Sequence, residues 1–233
     1  MTRVDTFIAG QGLASRVAYF VARTLVAAFT RAMTRLRVEG REHLPDRGPF
    51  VLAPVHRSIM DTPISSCLTS RRLRFMGKDS LWKRRPAAWL LSSLGGFPVS
   101  RGTADREALK RCIAVLEGGE PLVLFPEGER KSGDVVQPLF DGAAYVALKA
   151  RVPIIPVGIG GSEAVMPKGS RFIHPRRVHV VIGAPITHPA VTSGGHVSRA
   201  AVHEVTTELH TTLQCLFDEA RAKVDEGRGQ PDM

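Results

Sequence analysis

Directly after the apolar run FVLAPV, the chain places His56, Arg57, Ser58 and Asp61 within six positions. Imidazole is the side chain best suited to take up and return a proton near neutral pH. A carboxylate that accepts its Nδ1 proton fixes the tautomer and leaves Nε2 as a base. Five residues along one helix would set the two side chains on different faces. A strand end, a tight turn and a helix start can instead fold them together. Asp61, in the first turn of the following helix, would also sit well against the helix dipole. Such a pair removes a proton from an incoming hydroxyl. Two other readings of the pair stay open: a buried histidine that satisfies the turn, and a metal site, which finds no third ligand at suitable spacing. Ser58 is poorly placed as a nucleophile for a histidine two residues away. The hydrolase elbow Gly-x-Ser-x-Gly is absent; GGSEA at 160–164 comes nearest and lacks the last glycine.

Two further stretches concentrate charge where apolar runs end. In FPEGER, Pro126 halts a strand and Gly128 allows a sharp turn, which gathers Glu127, Glu129, Arg130 and Lys131. In GGFPVSRG, residues 95–102, Arg101 lies just past an apolar segment. An arginine there can clamp a phosphate with two parallel hydrogen bonds. Taken singly, each stretch also reads as an ordinary charged turn.

Five apolar segments are predicted to be the strands that position these groups: FVLAPV, LRFMG, PLVLFPEG, VPIIPVGIG and RVHVVIGAPI. The two prolines of VPIIPVGIG predict an edge strand or one interrupted by a bend. Helices are expected at 61–69, 80–93, 104–117, 141–150 and 197–223, the last with Val202, Val205, Leu209, Leu213, Leu216 and Ala220 on its core face. Alternation of this kind predicts a single α/β domain with a mostly parallel central sheet surrounded by helices. Sites in such sheets gather at strand ends, where each motif above falls. Residues 12–36 read as an N-terminal amphipathic helix, with Val17, Ala18, Val21, Leu25, Phe29, Met33 and Leu36 on one face and Arg16, Arg23, Arg31 and Arg35 on the other. Phe20 falls outside that pattern. A polar face of arginines suits a membrane interface; a helix packed on its own domain is the other reading. The expected organisation is this helix at 1–36, the main domain at 37–225 and a flexible tail at 226–233.

The 233 residues carry a net charge of +10 and a pI near 10.2, which favours anionic partners. Aromatic residues make up only 6 %, which argues against a nucleic-acid binder built on stacking rings. Cys67, Cys112 and Cys215 are odd in number and widely spaced, so they suggest reduced core residues and neither a disulfide framework nor a zinc cluster. No signal peptide and no spanning helix is legible. Basic runs at 71–74 and 83–85, flanked by Trp82 and Trp89, suit the surface of an anionic membrane.

In combination the three motifs, followed by the apolar VPIIPV, resemble the glycerolipid acyltransferase family, whose best-known members acylate 1-acylglycerol-3-phosphate or glycerol-3-phosphate. The likeness covers roughly residues 35–185. It implies an α/β domain held to a membrane by an N-terminal helical element, with acyl-CoA or acyl-carrier protein as donor and no metal or other cofactor. His56 and Asp61 then form the catalytic pair. Arg101 contacts the acceptor's phosphate, Glu127, Gly128 and Arg130 belong to the third motif, and Lys78 matches a lysine that often precedes the second. Arg57 and Ser58 join these as substrate-binding residues, and the HRS they form with His56 is more typical of the glycerol-3-phosphate branch. Two positions depart from the pattern: Val55 replaces the usual asparagine, and Glu129 the usual Thr or Ser. The expected reaction is acylation of 1-acylglycerol-3-phosphate to phosphatidic acid, by a protein on the cytoplasmic side of the cell membrane. Glycerol-3-phosphate or another lysolipid or glycolipid is the alternative acceptor, and a non-catalytic basic lipid-binding module is the more distant alternative.

Overall fold

The computed structural model describes residues 13–99, 106–167, 169–170, 172–188 and 197–227. Its elements run α1 (Leu13–Thr34), β1 (Arg37–Glu39), β2 (Val51–Pro54), α2 (Asp61–Ser66), β3 (Arg74–Lys78), α3 (Arg85–Ser93), β4 (Gly96–Val99), α4 (Arg106–Glu117), β5 (Leu122–Val123), α5 (Gly142–Ala150), β6 (Ile154–Gly160), α6 (Ser162–Val165), β7 (His179–Ile182) and α7 (Arg199–Glu226). The strands form one sheet in the order β1-β7-β6-β2-β5-β3-β4. Every pairing is parallel except β6 with β7. The mostly parallel α/β sheet expected from the alternation is therefore present. The expected strands and helices all form, and β1, β4 and α6 are additional.

The prolines mislead on β6. It is an interior strand between β7 and β2, buried along its whole length. Pro156 escapes the usual penalty because it lies in a gap in the β7 ladder. Ile154 and Ile186 exchange hydrogen bonds of 3.0 and 2.8 Å, regular pairing resumes at Val157 with Ile182, and Gly183 N–H donates to Pro156 O at 2.9 Å. A residue without an N–H costs least where the ladder is already broken. On one face of β6, a Cβ at Gly158 would meet Leu216 O at 2.2 Å and one at Gly160 would meet Ala220 O at 2.4 Å. These glycines let α7 lie directly on the strand. Ser198 caps α7 by accepting from Ala201 N–H.

Two other expectations change. Among the described side chains of α1 the buried ones are Ala27, Thr30 and Thr34, and Arg23 turns inward to donate to Thr69 O at 2.7 Å. Val17, Phe20, Val21, Leu25 and Phe29 are exposed, so Phe20 belongs to the apolar stripe and Arg23 does not face solvent as Arg31 and Arg35 do. Cys67 and Cys112 are buried, but Cys215 is exposed, because it sits off the α7 face that buries Leu213 and Phe217.

Candidate active site

β2 ends at Pro54, and the chain turns through residues 55–60 before α2 begins at Asp61. This turn folds the opening pair together. His56 Nδ1 lies 3.0 Å from Asp61 Oδ2. The same oxygen accepts the N–H groups of Arg57 at 2.6 Å and Ser58 at 2.7 Å. Asp61 is fully buried, and its charge is matched by those donors rather than by water. The His56 side chain is 14 % exposed, so part of the imidazole reaches the surface. Nδ1 is occupied, and among the described residues nothing hydrogen-bonds to Nε2. The ring also stacks on Phe125 at 3.9 Å between centroids, 20° from parallel. Phe125 was legible only as a strand residue; its place beside the histidine follows from β5 pairing next to β2.

Arg57, Ser58 and Glu127 were expected to touch substrate, but the structure puts them inside. Their side chains are at most 1 % exposed. Arg57 Nη1 donates to both oxygens of Glu127, at 2.7 and 2.8 Å. Glu127 in turn accepts the N–H of His56 at 3.0 Å and of Gln137 at 3.1 Å. Ser58 Oγ donates to Met166 O at 3.0 Å. A buried ion pair persists only when its remaining donors and acceptors are satisfied, and these residues satisfy one another by holding the backbone around His56.

Gly128 has φ of +73°, and a Cβ there would lie 2.6 Å from the Phe140 ring, so the turn of FPEGER requires glycine. Arg130 is half-buried just past that turn, and Lys131 N–H donates to His56 O at 2.8 Å. The basic position of the third motif is thus brought beside the His56 turn. Lys78 closes β3. Its side chain and the whole of Arg101 lie outside the described residues. Among the described residues no group of three His, Cys, Asp or Glu side chains is gathered to hold a metal ion.

A mostly apolar cavity of about 200 Å³ opens one residue past Asp61 in sequence. Thr62 and Pro63 of α2, Leu73 just before β3, Phe75 of β3, Leu91 of α3 and Tyr19 of α1 line it, together with Arg23 and Arg71. Burial pushes the Tyr19 hydroxyl above its ordinary pKa, against the opposing pull of Arg23, Arg72 and Arg74. Walls that are mostly apolar, as these are apart from Arg23 and Arg71, admit hydrocarbon.

The chain belongs to the acyltransferase family: residues 35–160 match the family described as Acyltransferase. It is 27 % identical over 212 residues to a chloroplastic 1-acyl-sn-glycerol-3-phosphate acyltransferase of Arabidopsis thaliana, covering 89 % of this chain and 53 % of that protein. A 1-acyl-sn-glycerol-3-phosphate acyltransferase of Bacillus subtilis is 27 % identical over 152 residues, covering 65 % of this chain and 73 % of that one. The chain thus spans about half the length of the plant relative. The fold matches the crystal structure of the 1-acyl-sn-glycerophosphate acyltransferase PlsC of Thermotoga maritima with a TM-score of 0.70 and 24 % identity, over 94 % of this chain and 83 % of that one.

Proposed function

We propose that this chain transfers an acyl group from a thioester, acyl-CoA or acyl-carrier protein, to the free hydroxyl of 1-acylglycerol-3-phosphate, with His56 as general base. The observation that carries this reading is the 3.0 Å contact of His56 Nδ1 with a buried Asp61, beside an Nε2 without a hydrogen-bond partner among the described residues. The relatives' names supply the acceptor class.

In the proposed step the acceptor hydroxyl gives its proton to Nε2 as its oxygen bonds to the thioester carbonyl carbon. Asp61 holds the tautomer and stabilises the imidazolium. The tetrahedral intermediate collapses, the carbon–sulfur bond breaks, and the imidazolium returns its proton to the leaving thiolate. General-base catalysis of this kind contributes about 10²–10⁴-fold, and positioning of the reactants contributes up to roughly 7–11 kcal/mol. Arg130, with Arg101 and Lys78, is assigned to the acceptor's phosphate. The apolar cavity next to Asp61 is assigned to the acyl chain.

The membrane is the proposed source of the acceptor. No helix among the described residues is long and apolar enough to cross a bilayer. The exposed apolar side chains of α1, from Val17 to Phe29, and the net charge of +10 suit a peripheral protein on an anionic surface.

The test is thiol release from acyl-CoA by the purified protein, with and without lysophosphatidate. Release should depend on the acceptor and vanish in His56→Ala. Equal rates without acceptor would indicate a thioesterase. Equal rates on phosphate-free acceptors would remove the arginine clamp. Preference for glycerol-3-phosphate would move the activity to the other branch of the chemistry.

A further inference from the structure

We propose that Phe217, near the far end of the chain, acts with Arg57 and Glu127 as a positioning column for His56, which makes α7 part of the catalytic machinery. This rests on His56 being the base. The guanidinium carbon of Arg57 lies 4.8 Å from the centre of the Phe217 ring. Its nitrogens are all committed. Nε donates to Gly133 O at 3.1 Å and Nη2 to Val135 O at 3.1 Å. Nη1 grips Glu127 and also reaches His56 O at 3.2 Å. Glu127 Oε1 takes the His56 N–H from the other side at 3.0 Å. One buried ion pair therefore reaches both backbone polar groups of the histidine, whose carbonyl also accepts Lys131 N–H at 2.8 Å, and that pair rests on an aromatic ring from α7.

The helix also fixes the loop that closes over Arg57. Gln214 accepts Val136 N–H at 2.7 Å and donates to Asp134 O at 3.1 Å, and His210 Nε2 donates to Val136 O at 3.0 Å. Phe217 lies well beyond the 35–160 stretch that defines the family, so no motif points to it. The contacts of the column run to the 133–137 loop and to both backbone polar groups of the one residue whose ring must meet the substrate. A side chain that only filled the core would have no reason to converge there.

The experiment compares Phe217→Leu, Arg57→Gln, Glu127→Gln and the Arg57→Gln/Glu127→Gln double variant in the full chain, with His56→Ala as control. Circular dichroism and thermal melts establish which variants are folded at the assay temperature. Phe217→Leu keeps both buried charges and should lower kcat about tenfold, the scale of losing a desolvated cation–π contact, with KM within about twofold. Each charge variant should lose about 10²-fold in kcat, as expected for a small displacement of a catalytic group. The double variant should be no worse than the worse single one, because the pair acts as a unit. Where a single charge variant does not fold, the double variant, which leaves no buried charge unpaired, and Phe217→Leu decide. Folded variants with the wild-type kcat, or losses carried by KM alone, would overturn the column. If His56→Ala keeps its turnover, the base assignment itself fails; if it is inactive while the column variants keep full kcat, only the positioning role fails.

Discussion

Asp61→Asn separates orientation from folding at the centre of the site. In the wild type, one carboxylate oxygen accepts three N–H groups at 3.0, 2.6 and 2.7 Å. An asparagine that keeps its oxygen there retains three weaker bonds, at a loss of about 1 kcal/mol each when the acceptor's charge goes. Against this, the protein no longer buries an anion, which ordinarily costs several kcal/mol. The two changes largely cancel. The asparagine nitrogen takes the place of Asp61 Oδ1, which is buried without a partner among the described residues, and an unmet donor costs about 1–3 kcal/mol. The variant should therefore fold, destabilised by about 1–3 kcal/mol. Turnover is affected far more. The imidazolium that forms in the reaction would sit about 4 Å from the carboxylate's charge, an attraction of about 4 kcal/mol at an effective dielectric of 20. Without it kcat should fall by about 10³-fold. The assay is thiol release at saturating lysophosphatidate, with a denaturant melt of the same sample. A folded variant whose kcat is within threefold of wild type would refute the assignment of Asp61 as the orienting group.

Three other outcomes are expected. Gly158→Ala should destabilise the chain by about 3 kcal/mol or more, read by urea melts, because its Cβ would run into the backbone of Leu216 and Phe217, which can yield only by displacing α7; a loss under about 1 kcal/mol would mean the helix lies less tightly than described. At pH 8 a thiol reagent should label one cysteine rapidly and three after denaturation: Cys215 is exposed, while burial raises the Cys67 thiol and pushes Cys112 up to about 12, which keeps both protonated; fast labelling of all three in the native state would contradict this. Phe20→Asp combined with Leu25→Asp should leave stability within about 1 kcal/mol, because both side chains are exposed. It should sharply weaken sedimentation with anionic vesicles, and unchanged sedimentation would remove α1 from the membrane contact.

Elements whose side chains repeat at a helical or strand period were legible in the sequence, because burial of one face selects residue type directly. α7 is of this kind, while β2 was legible as a continuous apolar run because it is buried at every position. β1 and β4 were not. Arg37–Glu39 has no apolar run, and Gly96–Val99 contains a proline and a glycine, so pairing with β7 and β3 forms these strands rather than local preference. At the site, His56 and Asp61 could be read because they share one short turn. The roles of Arg57 and Glu127 could not. Charged residues are almost never fully buried unless paired, and their pairing spans 70 positions of sequence. A charge beside a motif looks the same in sequence whether it faces substrate or the core. In α1 the shared side of Val17, Val21, Leu25 and Phe29 was legible, whereas Phe20 and Arg23 were misplaced, because a helical wheel does not show which side the domain covers.

The site depends on strands that run the same way. β2 pairs in parallel with both β5 and β6, so the chain leaves all three at one end of the sheet. The residues that follow β2 and β5 meet there as His56, Arg57 and Glu127. A buried ion pair in that position needs a floor, and α7 supplies it. A Cβ on Gly158 would lie 2.7 Å from Phe217 N, so the missing side chain on β6 is what lets the helix come near enough to set Phe217 under Arg57. One glycine in an interior strand thereby bears on the orientation of a histidine two elements away. A side chain at 158 would displace the ring together with α7, so the kcat of the folded protein should fall along with its stability.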